Sequence, residues 1–193
     1  MIWSEEELQT YRDKGYVLRR SLLSAAEVKH MKRAMPTLLE SSGNDGMHRE
    51  CERSGAVRQV YLAHRYVEPF SKIVRHPSII EPVKQIIGND VYVWHSKLNV
   101  KEAFEGTVWL WHQDYGYWYH YGCLFPDILA VMIAIDAQTK QNACLQVIRG
   151  SHRLGRLDHV LQTESGTTQP SIDPARIEAI LDRMELVYCE MPP

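Results

Sequence analysis

The residues of this chain best equipped for chemistry are His112 and Asp114, an imidazole and a carboxylate separated by one position. On a β-strand, side chains at i and i+2 leave the same face, so the two would point together while Gln113 points away. The flanking pattern fits a strand, with Val108, Leu110, His112 and Asp114 on one face and Trp109, Trp111, Gln113 and Tyr115 on the other. One imidazole nitrogen and one carboxylate oxygen are two corners of the 2-His-1-carboxylate facial triad, which leaves metal positions open for a cosubstrate and dioxygen. Spacing alone is weakly specific: with nine histidines and 24 acidic residues in 193 positions, about one His-x-acid match arises by chance. The chain holds a second such match, His48-Arg49-Glu50, in a polar stretch without a strand pattern.

The elements that must position this pair can be read in outline. Ser4 with Glu7 and Ser24 with Glu27 are capping-box starts, each followed by helix-periodic apolar positions, so two amphipathic helices open the chain. Gly15 ends the first helix, and Gly15-Tyr16-Val17-Leu18 reads as a short strand between the two. A third helix is expected near Ser78 to Ile87, started by Ser78 and Glu81 and stopped by Gly88. Beyond residue 90 the texture turns to β-type runs: Val91 to Val100, Thr107 to Tyr115, Leu129 to Ile135 and Cys144 to Ile148. Residues 150 to 172 lack periodicity over a length that points to a functional lid. Asp173-Pro174 then supplies an N-cap and a first-turn proline for a helix through Leu181, and Leu186 to Met191 reads as a last strand.

Composition narrows the function. A net charge of −2 with no Lys/Arg run longer than a pair gives no footprint for nucleic acid or an anionic membrane. No apolar stretch approaches the roughly 20 residues that span a bilayer, and the acidic start lacks a signal-peptide core. Cys51, Cys123, Cys144 and Cys189 are scattered without a C-x-x-C pair, which reads as reduced thiols, mostly core, in a cytoplasmic protein with a small-molecule partner.

The run Trp111-His112-Gln113-Asp114-Tyr115-Gly116-Tyr117-Trp118, then Asn142-Ala143-Cys144-Leu145, then Gly150-Ser151-His152-Arg153, closely resembles the phytanoyl-CoA dioxygenase family, which includes the ectoine hydroxylases. Tyr11 to Val17 and Leu22 to Val28 also look like this family's N-terminus. The resemblance implies a mainly β double-stranded β-helix (jelly roll, cupin-like) with flanking helices. Residues 1–193 would form a single domain, helical over 1–90 and jelly roll over 91–193. It further implies an Fe(II)- and 2-oxoglutarate-dependent dioxygenase that uses O2 to hydroxylate a small molecule, releasing succinate and CO2. His112 and Asp114 fall on the family's first two iron ligands, and Asn99, Lys97 and Trp118 on or near positions that hold 2-oxoglutarate. His95 matches a substrate-facing position. Tyr115 and Tyr117 belong to an aromatic cluster that would face substrate or plug the barrel end.

Three departures stand out. Asn142-Ala143 replaces the family's Asn-Gly, and Arg149 replaces the proline before Gly-Ser-His. The family's second ligand histidine and its 2-oxoglutarate-clamping arginine follow a Pro-Gly-Asp turn that would begin at Pro193, so the jelly roll is expected to lack its closing strands. Neither His120 nor His152 is expected to replace that ligand. Two other readings stay open, a non-catalytic jelly-roll binding module and, ranked last, a zinc hydrolase.

Overall fold

Three glutamates behind Ser4 start helix α1 (Glu5–Lys14). The Glu7 amide donates to Ser4 Oγ at 3.3 Å and the Ser4 amide to Glu7 Oε2 at 2.8 Å, so two orphan donors are satisfied reciprocally. The computed structural model describes residues 2–40, 46–104, 108–164 and 167–193. It divides into two compact units, Met1–Ile2 with Leu22–Val108 and Trp3–Ser21 with Trp109–Pro193. Helix α1 thus packs with the C-terminal half of the chain, although it comes first in sequence.

The unit built on 22–108 opens with α2 (Ala25–Leu39), started by the reciprocal Ser24/Glu27 box. Val28, Met31 and Leu38 recur at helical spacing and are its buried positions. Arg49 Nε donates to the Leu38 carbonyl at 2.7 Å, satisfying one group of that helix's open end. Strands β1 (Arg49–Cys51), β2 (Val57–Tyr61) and β3 (Lys97–Asn99) form an antiparallel sheet in the order β1-β2-β3. Two short turns, α3 (Ala63–Tyr66) and α4 (Phe70–Ile73), lead to α5 (Pro77–Ile87). That helix ends on Gly88 as expected, but its cap is His76: Nδ1 accepts from the Ser78 amide at 3.3 Å, with Pro77 at the first helical position. Ser78 lies inside the helix and does not start it.

Of the expected strand Val91 to Val100, Lys97–Asn99 forms β3, with Tyr61, Val60 and Gln59 of β2 opposite, and one backbone bond flanks it on each side, Leu62 amide to Ser96 carbonyl at 2.8 Å and Val100 amide to Arg58 carbonyl at 2.9 Å. The apolar pattern runs further than the partner strand does. His48-Arg49-Glu50, read as having no strand pattern, overlaps β1, where Glu50 accepts from Tyr61 Oη at 2.9 Å and lies 3.6 Å from the buried Arg58 guanidinium. Its carboxylate serves that pair.

In the other unit, the expected strand at Gly15 to Leu18 does not form. Gly15 is left-handed (φ 82) and closes α1 through its amide to the Tyr11 carbonyl, and Arg19 then ion-pairs with Glu7. The segment is held by that side-chain pair in place of a ladder. The expected strand Thr107 to Tyr115 is also absent over its described part; Thr107 itself lies outside the described residues. Residues 110 and 111 touch a neighbour through the Ile172 amide donating to the Trp111 carbonyl at 2.8 Å and the Leu110 amide donating to Gln169 Oε1 at 3.3 Å. No strand forms there, and Asp114 then starts helix α6 (Asp114–Tyr119).

Leu129 to Ile135 carries no strand either. The Cys144 run becomes β4 (Leu145–Ile148), and the stretch read as an irregular lid is structured. A 3-10 turn (Ser151–Leu154) precedes a hairpin of β5 (His159–Glu164) and β6 (Thr167–Ile172), whose residues 165–166 lie outside the described set. Asp173 caps α7 (Pro174–Leu181), its carboxylate accepting from the Ala175 amide at 2.9 Å. Strand β7 (Leu186–Cys189) pairs antiparallel with β4, and Met191 extends the last strand as a bridge to Gln138. Cys144 and Cys189 are buried and free, Cys123 is half-buried and Cys51 exposed, so two of the four thiols are core.

The Gly150-Ser151-His152-Arg153 segment receives the end of α1. His152 Nε2 and Arg153 Nη2 both meet the Arg12 carbonyl, at 2.9 and 2.8 Å, and the Gly150 amide donates to the Lys14 carbonyl at 2.9 Å. Arg153 also pairs with Asp13 at 3.0 Å. Carbonyls that a helix end leaves unpaired are thereby closed by residues far along the chain.

Candidate metal centre

His112 and Asp114 do come together, by a route other than a strand. Gln113 is extended (φ −104, ψ 132) and acts as the N-cap position of α6, which makes Asp114 the first residue of the helix. The helix start turns the chain so that Asp114 Oδ1 lies 3.5 Å from His112 Nε2. A carboxylate there also faces the positive end of the helix dipole. His112 Nδ1 lies 2.7 Å from the Leu110 carbonyl, and because a carbonyl only accepts, Nδ1 carries the proton. Nε2 is therefore the nitrogen turned toward Asp114. A ring N–H donated to a carbonyl, with the other nitrogen presented beside a carboxylate, is the arrangement metal-binding histidines use.

Fe(II), implied by the family resemblance, would find in His112 Nε2 and Asp114 Oδ1 two donor atoms of a type that suits it. Among the described residues no group of three or more His, Cys, Asp or Glu side chains converges. Tyr117, one turn along α6, stands edge-on to the His112 ring with centroids 5.0 Å apart.

The residue between the two donors is held from elsewhere. The Gln113 amide donates to His159 Nε2 at 3.0 Å, its side-chain nitrogen to the Gly155 carbonyl at 2.9 Å, and its Oε1 accepts from the Leu157 amide at 2.8 Å. His159 is a residue that the sequence gives no reason to single out, lying inside the stretch read as a lid. Its ring packs against Tyr117 at 5.5 Å, and burial, ahead of its charged neighbours, lowers its pKa below the ordinary histidine value. Beside it lies a cavity of about 210 Å³, lined by Tyr117, His120, Tyr121, His159, Leu161 and Pro170, with Gly116 completing the wall.

The remaining expected site residues divide between the units. Trp118 and Tyr115 belong to α6 with the pair; Trp118 packs on Tyr121 at 6.1 Å, and Tyr115 Oη donates to the Leu124 carbonyl at 2.9 Å. His95, Lys97 and Asn99 belong to the unit containing residues 22–108. There Lys97 and Asn99 are exposed on the same side of β3, with buried Leu98 between them. Asn99 Oδ1 accepts from buried Gln59 at 2.5 Å, and the His95 ring packs on Tyr61 at 5.4 Å. His152 is engaged with α1, as described above.

Comparison with known proteins decides the family. The phytanoyl-CoA dioxygenase family model matches residues 11–193. The chain belongs to the phytanoyl-CoA dioxygenase family. Family relatives include an L-proline trans-4-hydroxylase of Streptomyces griseoviridis, 39% identical over 105 residues, covering 54% of this chain and 39% of that protein. An ectoine dioxygenase of Nocardia farcinica is 29% identical over 159 residues, covering 79% of this chain and 53% of the relative. The chain spans about half the length of the curated relatives it matches.

Among solved structures, EctD from S. alaskensis with 2-oxoglutarate and 5-hydroxyectoine superposes with a TM-score of 0.77 at 19% identity, covering 99% of this chain and 65% of that one. The carbocyclase SnoK from nogalamycin biosynthesis gives 0.69 at 23% identity, over 98% and 71%. The fold is accordingly similar to that of EctD over the part this chain covers, with helices and, among the described residues, small sheets of three, two and two strands.

Proposed function

We propose that this family member is an Fe(II)- and 2-oxoglutarate-dependent dioxygenase hydroxylating a small molecule with release of succinate and CO2. The observation that carries the reading is the convergence of His112 Nε2 and Asp114 Oδ1 at 3.5 Å, with the opposite ring nitrogen fixed on Leu110. In this reading those two atoms hold the iron, and Asn99, Lys97 and Trp118 hold 2-oxoglutarate. His95, Tyr115 and Tyr117 face the substrate, and Tyr117 already packs on the metal-binding imidazole. Bound iron with 2-oxoglutarate and O2 would supply the oxidant for a C–H bond. The protein's share is orientation and exclusion of water, for which the aromatic surround of α6 is suited. The substrate is proposed only as a small molecule, in line with relatives named for proline and ectoine.

The family match runs through both compact units, which supports treating residues 1–193 as one domain. Four free cysteines fit a reducing, cytoplasmic setting, and among the described residues no helix is long and apolar enough to cross a membrane. A second reading, a non-catalytic binding module, is favoured by one observation, the lack of a three-donor cluster among the described residues.

Anaerobic Fe(II) titration of the wild type and His112→Ala, followed by 2-oxoglutarate turnover read as succinate, tests the proposal. Loss of a direct ligand should weaken binding at least as much as loss of an outer partner, roughly 10- to 100-fold. Unchanged affinity would refute the metal assignment. Fe(II) binding that depends on His112 without any succinate release would favour the binding module.

A further inference from the structure

The imidazoles of His112 and His159 are built alike. Each places Nδ1 on the carbonyl two residues earlier, Leu110 at 2.7 Å and Leu157 at 2.9 Å. In His112 the free Nε2 faces Asp114, and in His159 it accepts the Gln113 amide proton at 3.0 Å. Because a backbone amide only donates and a carbonyl only accepts, these two bonds allow His159 one form, neutral with the proton on Nδ1. The bond falls on the peptide N–H of Gln113, the residue between the two metal donors. It therefore fixes the backbone at the position where the extended segment becomes α6.

The wall opposite the ring is also specified. An ideal Cβ built on Gly116 would lie 2.0 Å from His159 Cε1 and 2.3 Å from Nδ1, so the ring occupies the space a side chain at 116 would need. Gly116 is buried two residues after Asp114 in α6. The ring is thus wedged between the Gln113 amide on one side and the α6 backbone on the other. Gln113 adds its own side-chain bonds to Gly155 and Leu157, so three hydrogen bonds tie the middle of the motif to residues 155–159.

We infer that His159 is a positioning residue for the His112/Asp114 pair, holding the Gln113 peptide through Nε2 so that the two donor atoms stay convergent. The inference rests on the metal reading given above. It assigns a role to a histidine that the ligand set does not use, and to a glycine whose lack of a side chain admits the ring.

The full chain, labelled with 15N and free of metal, provides the first test. Ring spectra should show His159 protonated on Nδ1 and bare on Nε2, with the Gln113 amide exchanging slowly. His159→Phe keeps a ring without an acceptor, and it should speed Gln113 exchange while leaving the Ile148 amide of β4 unchanged. It should also weaken Co(II) binding, used as a spectroscopic stand-in for Fe(II), by roughly tenfold, the size seen when an outer partner of a metal ligand is removed. His159→Gln, whose side-chain oxygen can accept the same proton, should recover most of the affinity and of the Co(II) absorption spectrum.

An Nε2-protonated wild-type ring would overturn the inference. So would a His159→Phe variant that binds Co(II) with unchanged affinity and spectrum. If His112→Ala leaves Co(II) affinity unchanged, it is the metal reading that fails, and with it the purpose of the clamp. The tautomer and the Gln113 exchange rate would then still report whether the hydrogen bond itself exists.

Discussion

Replacing Gly15 with alanine should destabilise the protein by about 2–3 kcal/mol, a sum of two separate costs at one position. Gly15 adopts φ 82, where a side chain costs roughly 1–2 kcal/mol relative to glycine. An added Cβ would also lie 2.3 Å from His152 Nδ1 and 2.7 Å from Cγ. The ring must move, and with it the contact of Nε2 with the Arg12 carbonyl, worth about 1 kcal/mol net. The entropic gain that usually accompanies Gly→Ala does not compensate, because it requires a backbone conformation alanine can adopt.

Urea unfolding should show this as a midpoint lowered by roughly 1 M at an m-value typical of small proteins. His152→Ala alone removes only the hydrogen bond and should cost about 1 kcal/mol. In the double variant the alanine Cβ meets no ring, so the pair should cost less than the two single changes added together, by on the order of 1 kcal/mol. Strict additivity, or a Gly15→Ala midpoint within error of the wild type, would refute this account of how α1 ends.

Other outcomes follow from single sites. Asp173→Ala removes the cap of α7 and should lower unfolding free energy by about 1 kcal/mol, measured by denaturant titration. Leu38→Ala empties a fully buried position of α2 and should cost roughly 2–5 kcal/mol in the same assay. His64 packs its Nδ1 on Ser96 Oγ at 2.5 Å, and burial, then Arg65 and Arg75, hold its pKa below the ordinary value. The folded state thus resists its protonation. Stability from this group is complete above the unfolded pKa of about 6.5 and falls as pH drops from there through the folded value. His64→Gln should flatten unfolding free energy between pH 7 and 5, and an unchanged slope would exclude His64 as the source.

What was legible in the chain was local. Ser4 with Glu7, Ser24 with Glu27, Asp173 with Pro174, and Gly15 and Gly88 as stops each encode a bond within a few residues, and each helix boundary they define is present. Strands were legible only where a partner exists within reach. Residues 108–113 alternate as a strand does yet form no strand, although the Ile172 amide of β6 reaches the Trp111 carbonyl, and residues 91–95 outrun the length of β2. The β5–β6 hairpin was hidden in polar residues, because its pairing is carried by backbone groups that leave no apolar signature.

For His112 and Asp114 the family-like run around them is the legible signal, whereas the strand alternation that also suggested them does not hold: a helix start joins them. His159 was invisible because its role is defined by the Gln113 amide, 46 residues away in sequence.

The docking of α1 on residues 150–153 also sets an order of events during synthesis. Arg12 and His152 are separated by 140 positions. At roughly 5–20 residues per second, a ribosome finishes α1 on the order of ten seconds before it makes the groups that close that helix. A ten-residue helix is too short to persist alone in water, so through that interval α1 is a helix in sequence only. The unit built on Leu22–Val108 is nearly contiguous, so the residues that form it are synthesised within that interval. The first element encoded is therefore among the last to gain its closing contacts, and a nascent chain arrested before residue 150 should present its N-terminal segment, unfolded, to chaperones and proteases.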